Sequence, residues 1–253
     1  MSEVLLQCRE EIQSALFQFW QQESFSVCTE YKSKSNLAGV ILSLPHTHAV
    51  HLSKQEEFTV MATPTKDLRA HIESNSQRPS VCIVLSSVDI YDKDQREIQE
   101  TSLLANHDIA QWIHSFERDC LSLEKLGIRV VVLRLGHVMS TRNSQKDFLY
   151  AVQNDGLLSW VHSEDVCRCV DLCLRQNIPS GVYNLVAPTH ATAKASTLFS
   201  LQKAKKFARN IINNRNKSTT EQKILVHTQK IVNYGFSFSH PTFAESLEKT
   251  YNF

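Results

Sequence analysis

At 253 residues and a formal net charge of +1, the chain has room for one large α/β domain or a domain with an appendage, and no global charge that would draw it to nucleic acid or an anionic membrane. No apolar run approaches the ~20 residues of a membrane span. The start, Met1-Ser2-Glu3-Val4-Leu5-Leu6, lacks a basic n-region, and Glu3, Glu10 and Glu11 are unlike a transit peptide, so the expected compartment is cytoplasmic, with a mitochondrial one left open.

Val4-Leu5-Leu6 is a first short strand, and Ile12, Ala15, Leu16, Phe19 and Trp20 recur at helical spacing. Phe25 to Tyr31 reads as a second strand, and Gly39 to Leu44, apolar almost throughout, as a third buried on both faces. His46, His48 and His51 cluster beside Pro45 in a predicted loop, where solvation accounts for them. Pro64 suits the first turn of a helix through Leu68 and Ile72. Val81 to Leu85 is a fourth strand. A helix follows with Ile109, Ile113, Phe116, Cys120 and Leu123 on one side, and Gly127 is placed to stop it.

Ile128 to Arg134 is a fifth strand, rich in β-branched residues. Ser163 is the predicted N-cap of the next helix, with Glu164 and Asp165 at its positive end. On that helix Cys169 and Cys173 lie four apart and join Val166, Val170 and Leu174 on one face. With Cys167 they read as small hydrophobes rather than a metal site, since no second paired set follows; the seven cysteines as a whole fit reduced thiols. Tyr183 to Val186 is a sixth strand. Beyond Pro188 come a basic amphipathic helix from Leu198 to Ile211, a polar linker at 213–223, a helix ending at Gly235, and a Thr242 to Glu245 capping box.

Strands alternating with amphipathic helices predict an α/β fold: a doubly wound parallel sheet over residues 1–188, with a small, mostly helical subdomain over 189–253.

Several motifs resemble one family. Ser159-Trp160-Val161-His162 through Asp165, Gly181-Val182-Tyr183-Asn184-Leu185-Val186-Ala187-Pro188, and Tyr234 through Pro241 are similar to motifs of the epimerase-like branch of the extended short-chain dehydrogenase/reductases. Leu133-Arg134-Leu135-Gly136-His137-Val138-Met139 resembles that branch's L-R-x-G-x-V-L, and Ser86-Ser87-Val88-Asp89-Ile90-Tyr91 resembles its serine segment loosely. The likeness runs from Gly39 onward and implies a Rossmann fold using NADP. It also implies a nucleotide-sugar-like ligand bordered by His162, Asp165 and Asn184, Arg134 on the cofactor side, and pairing of two copies through helices flanking strands four and five.

The residues depart from that pattern where the chemistry is most demanding. The phosphate loop, G-x-T-G-x-I-G in the family, stands here as Gln7-Cys8-Arg9-Glu10-Glu11-Ile12-Gln13, with no glycine to bring backbone against a diphosphate and two carboxylates where the dianion would dock. Glu30 follows the loop at the spacing of a ribose-binding acid, with Lys32 and Lys34 nearby; without the loop it reads better as a charged strand end in water. Ser86 or Ser87 fits the catalytic serine, but Ile109 and Ile113 stand where the family's Tyr and Lys would, leaving Tyr91 as the nearby phenol. The expectation is a pseudoenzyme, with the fold kept and cofactor binding and redox catalysis impaired or lost, acting as a binding or scaffold protein. The alternatives are an active NADP-dependent oxidoreductase or epimerase with an atypical loop, and a basic binding module using Lys203 to Lys206.

Overall fold

The computed structural model describes residues 2–21, 25–30, 37–44, 65–74, 78–140, 157–192 and 224–251. The histidine loop at 46–51, Lys32 and Lys34, the basic helix and the polar linker lie outside them. In chain order the elements are β1 (Ser2–Gln7), α1 (Glu10–Phe19), β2 (Phe25–Cys28), β3 (Leu37–Ser43), α2 (65–74), β4 (Val81–Ser87), a 3-10 turn (Val88–Ile90) and β5 (Glu97–Ile98). Then come α3 (Asp108–Leu121), a second 3-10 turn (Ser122–Leu126), β6 (Arg129–Leu135), β7 (His137–Met139), β8 (Leu157–Leu158), β9 (Trp160–His162) and α4 (Ser163–Arg175). The chain closes with β10 (Gly181–Leu185), β11 (Ala191–Thr192), β12 (Leu225–Val226), α5 (Gln229–Asn233) and α6 (Phe243–Tyr251).

Six strands form one parallel sheet in the order β2-β1-β3-β4-β6-β10. Alternation along each strand divides the core in two. Val4, Leu6, Ile41, Ile83, Val131 and Leu133 face α1 and α4, whose Ile12, Leu16, Val166 and Val170 share that cluster. Leu5, Val40, Leu42, Val84, Val130 and Val132 face the other way, against Leu68 and Ile72 of α2 and Ile113 and Phe116 of α3. Each such buried side chain contributes roughly 1.5–3 kcal/mol of transfer free energy. Trp20 Nε1 donates to Asp171 Oδ1 at 3.0 Å and ties the end of α1 to α4.

The sheet is therefore doubly wound, as the alternation predicts. Gly127 ends the α3 region in the left-handed conformation at φ 78°, where a β-carbon is disfavoured. Gly136 is needed for a different reason. A β-carbon there would stand 2.8 Å from the backbone of Ser159 and Trp160, so its absence lets β7 lie beside β9. The C-terminal segment is built into both core layers. Val226 packs with the α2/α3 layer, and Ile231 and Phe236 with the α1/α4 layer. At the start of α6 the Thr242 hydroxyl donates to Glu245 Oε2 at 2.5 Å, so the predicted box closes side chain to side chain.

None of the seven cysteines forms a disulfide, and Cys167, Cys169 and Cys173 are buried in apolar packing, as the helical spacing predicts. Burial pushes the Cys82 and Cys167 thiols up to about 12. A thiol reagent at pH 8 is expected to leave both unmodified in the native protein, and their labelling before unfolding would contradict this packing.

Candidate functional site

The strand order reverses between β1 and β3: β1 is followed by β2 on one flank, and the chain then returns to place β3 on the other. In such sheets the crevice outside the carboxyl ends of those two strands is the ligand position. Here β1 stops at Gln7 and α1 starts at Glu10, so Cys8 and Arg9 alone make the turn. Arg9 is the N-cap residue and supplies no side-chain cap; its own N–H donates to Ser43 Oγ, at the end of β3, at 2.9 Å. That bond stitches the two strand ends together across the crevice.

Burial lowers the basicity of Arg9, with Glu11 and Cys8 opposing, and its Nε has no hydrogen-bond partner among the described residues. Burial likewise pushes the Cys8 thiol up to about 12. Glu10 and Glu11 occupy the first turn of α1. A dinucleotide diphosphate needs free amides and bare backbone at this point. The turn offers an amide already spent on Ser43, side chains at every position, and two carboxylates about the helix terminus. The turn thus lacks the glycine backbone on which such a group docks in sheets of this kind. Glu30, just past the end of β2, is exposed.

At the carboxyl ends of β4, β6 and β10, four of the residues named from sequence meet in one buried network. Ser86 donates to Glu117 Oε1 at 2.5 Å. Arg134 grips the same carboxylate with two bonds, Nε to Oε1 at 2.9 Å and Nη2 to Oε2 at 2.7 Å. The guanidinium lies 4.8 Å from the centroid of the Tyr91 ring, and Tyr91 donates its hydroxyl to Asn184 Oδ1 at 2.7 Å. Asn184 is held in turn by Glu100 Oε1 on its N–H and by the carbonyl of His227 on its Nδ2. Burial raises the Tyr91 pKa, with Arg134 opposing. Burial also works against the Arg134 charge, but the Glu117 hydrogen bonds and charge outweigh it and hold the guanidinium above its ordinary pKa.

The sequence pattern puts Tyr91 in a loop. In the structure it ends the 3-10 turn with 1 % of its surface exposed, so its hydroxyl belongs to the core. Ser87 caps that same turn, accepting the Asp89 N–H and donating to its carboxylate. Of the two isoleucines, Ile113 is buried and Ile109 is 52 % exposed. Glu117, one turn beyond Ile113, is not among the residues the motifs single out. A signal for it does exist: an acid on the stripe of Ala110, Ile113, Phe116 and Cys120, where an apolar helix face should continue. It points back to the end of β4 and takes the serine and arginine there.

A second polar cluster sits at the start of α4. His162, not Ser163, is the N-cap, because its Nδ1 accepts the Glu164 N–H at 3.2 Å. Asp165 does more than complement the helix dipole. Fully buried, its carboxylate accepts the N–H groups of Ser239 and His240 at 2.7 and 2.9 Å and pairs with Arg168 at 3.3 Å. Arg168 also reaches the Ser237 carbonyl and the Ser239 hydroxyl. The His240 ring stacks on His162 at 3.8 Å between centroids, with 27° between planes, and its Nε2 meets Glu164 Oε2 at 2.8 Å. Potential metal-binding atoms of His162, Glu164 and His240 lie within 4.8 Å of one another. Stacked rings, however, aim their in-plane lone pairs along nearly parallel planes, which do not converge on one ion.

No family model matches the chain, and no curated protein matches it in sequence. Solved structures do match in fold. A human epimerase family protein solved with NADPH aligns over 99 % of both chains with a TM-score of 0.71 and 16 % identity. The UDP-N-acetylglucosamine 4-epimerase of Bacillus cereus aligns over 99 % of this chain and 98 % of its own, with a TM-score of 0.70 and 13 % identity. Vestitone reductase from alfalfa aligns over 99 % and 97 %, with a TM-score of 0.73 and 14 % identity. The fold is thus the Rossmann-type sheet seen in epimerase-like extended short-chain dehydrogenase/reductases. No described helix is long and apolar enough to cross a membrane.

Proposed function

We propose that this chain keeps the epimerase-type fold as a binding or scaffold protein and does not hold a nicotinamide dinucleotide through its first turn. The observation that carries the reading is the Arg9 N–H bound to Ser43 Oγ across the switch-point crevice, in a two-residue turn without glycine. The network at the strand ends supports it: Ser86 and Tyr91, the candidate proton donors, have their hydroxyls committed to Glu117 and Asn184 inside the core. A redox step needs a phenol or hydroxyl within reach of substrate, and here those groups hold the scaffold together. In this reading residues 1–188 form the sheet domain, and 189–253 the extension that faces a ligand.

The test is a titration of the purified protein with NADPH and NADP⁺, followed by NADPH fluorescence. No saturable binding in the micromolar range is the expected result, and micromolar binding overturns the proposal. The second reading is an active NADP-dependent enzyme on a nucleotide-sugar-like substrate next to His162, Asp165 and Asn184. Its support is the end-to-end fold likeness to a protein solved with NADPH and to a UDP-N-acetylglucosamine epimerase. It requires cofactor retained on purification and turnover lost on changing Ser86, Ser87 or Tyr91.

A further inference from the structure

The hydrogen bonds around His162 define its protonation. Thr250 Oγ1 donates to the Ser246 carbonyl at 2.6 Å, so it receives the proton of His162 Nε2 across 3.0 Å. His162 Nδ1, bare, accepts the Glu164 N–H. The ring is therefore the neutral Nε2–H tautomer with both nitrogens engaged: one caps α4, and the other holds α6. Its face is covered by His240, whose Nε2 binds the Glu164 carboxylate and whose backbone N–H is held by Asp165. Both rings are only 8 % exposed.

We propose that this stack is an acid-released clasp, in which protonation of His162 on Nδ1 detaches the segment from Ser237 to Thr250 from the head of α4. The added proton would point at the Glu164 N–H, cancelling the cap, and would place a positive charge against the His240 ring. The groups that face His162 are Glu164 and, behind it, Asp165 and Arg168 on α4, His240 in the segment before α6, and Thr250 and Lys249 on α6; Met139 of β7 also touches Thr250. Glu164 alone favours the charged ring directly. Burial first, then His240 and Lys249, hold the His162 pKa down at about 4 against an ordinary 6.5. A depressed histidine pKa contributes stability that is complete above the unfolded value and is lost as pH falls from 6.5 toward 4. The clasp is independent of whether a dinucleotide binds.

Hydrogen exchange at pH 7 and pH 5, corrected for intrinsic rates, tests it. Amide protection over residues 239–250 should fall by about 20-fold from pH 7 to pH 5, since only the opened ring takes up the proton there. Protection in β4 and β6 should hold, and His162→Asn, which can cap and donate without titrating, should abolish the drop. An unchanged segment, an equal loss in the central strands, or the same drop in His162→Asn overturns the clasp. Should that variant not fold, a proton NMR titration of the native His162 ring decides: a midpoint near 4 is expected, and one near 6.5 overturns it.

Discussion

Glu117→Ala should unfold about 3–5 kcal/mol more easily than the native chain. Glu117 is 2 % exposed and receives two bonds from Arg134 and one from Ser86. Removing its carboxylate leaves a guanidinium inside the protein with no counter-charge, and a serine hydroxyl without its acceptor. The pair itself is a different matter. Two buried charges repay little more than their own desolvation, so Glu117→Leu combined with Arg134→Met should recover most of the loss. Urea unfolding of the three proteins makes the comparison. A single substitution costing under about 1 kcal/mol would mean the network is solvated and open, and Ser86 and Tyr91 would return as candidates for chemistry.

The second large effect falls on Asp165. Asp165→Ala should cost about 2–4 kcal/mol, because it strands the buried His240 N–H and the half-buried Ser239 N–H, at roughly 1–3 kcal/mol each. Asp165→Asn keeps one acceptor oxygen and should lose less. The loss should appear first as faster exchange of those two amides, ahead of any change in the sheet. If Asp165 acted only on the α4 dipole, the cost would stay near 1 kcal/mol or below and the two amides would be unmoved.

These residues also mark where the sequence stops being legible. The six strands can be read because apolar runs such as Val130 to Leu133 fill both faces of a parallel sheet, and the alternation in β4 sends Ile83 one way and Val84 the other. Gly127 and the stripe of α3, apart from the exposed Ile109, can be read because their causes are local. What stays hidden depends on partners far along the chain. Asp165 meets amides 74 and 75 positions away, and Arg9 meets a serine 34 positions away. Ser163 looks like the better cap because serine is favoured there, yet the His162 ring, fixed by Thr250, reaches the Glu164 amide. The missing glycines are plain in the sequence, but the bond that joins the ends of β1 and β3 in their place is not.

Co-crystallisation with saturating NADPH bears most directly on the central proposal, that the glycine-free turn after β1, its Arg9 amide bound to Ser43, does not hold a diphosphate. Electron density is expected to show Arg9 still bonded to Ser43, with no dinucleotide along the backbone of residues 7 to 12. A fully occupied cofactor with its phosphates against those amides, and the Arg9–Ser43 bond broken to admit it, would contradict the account.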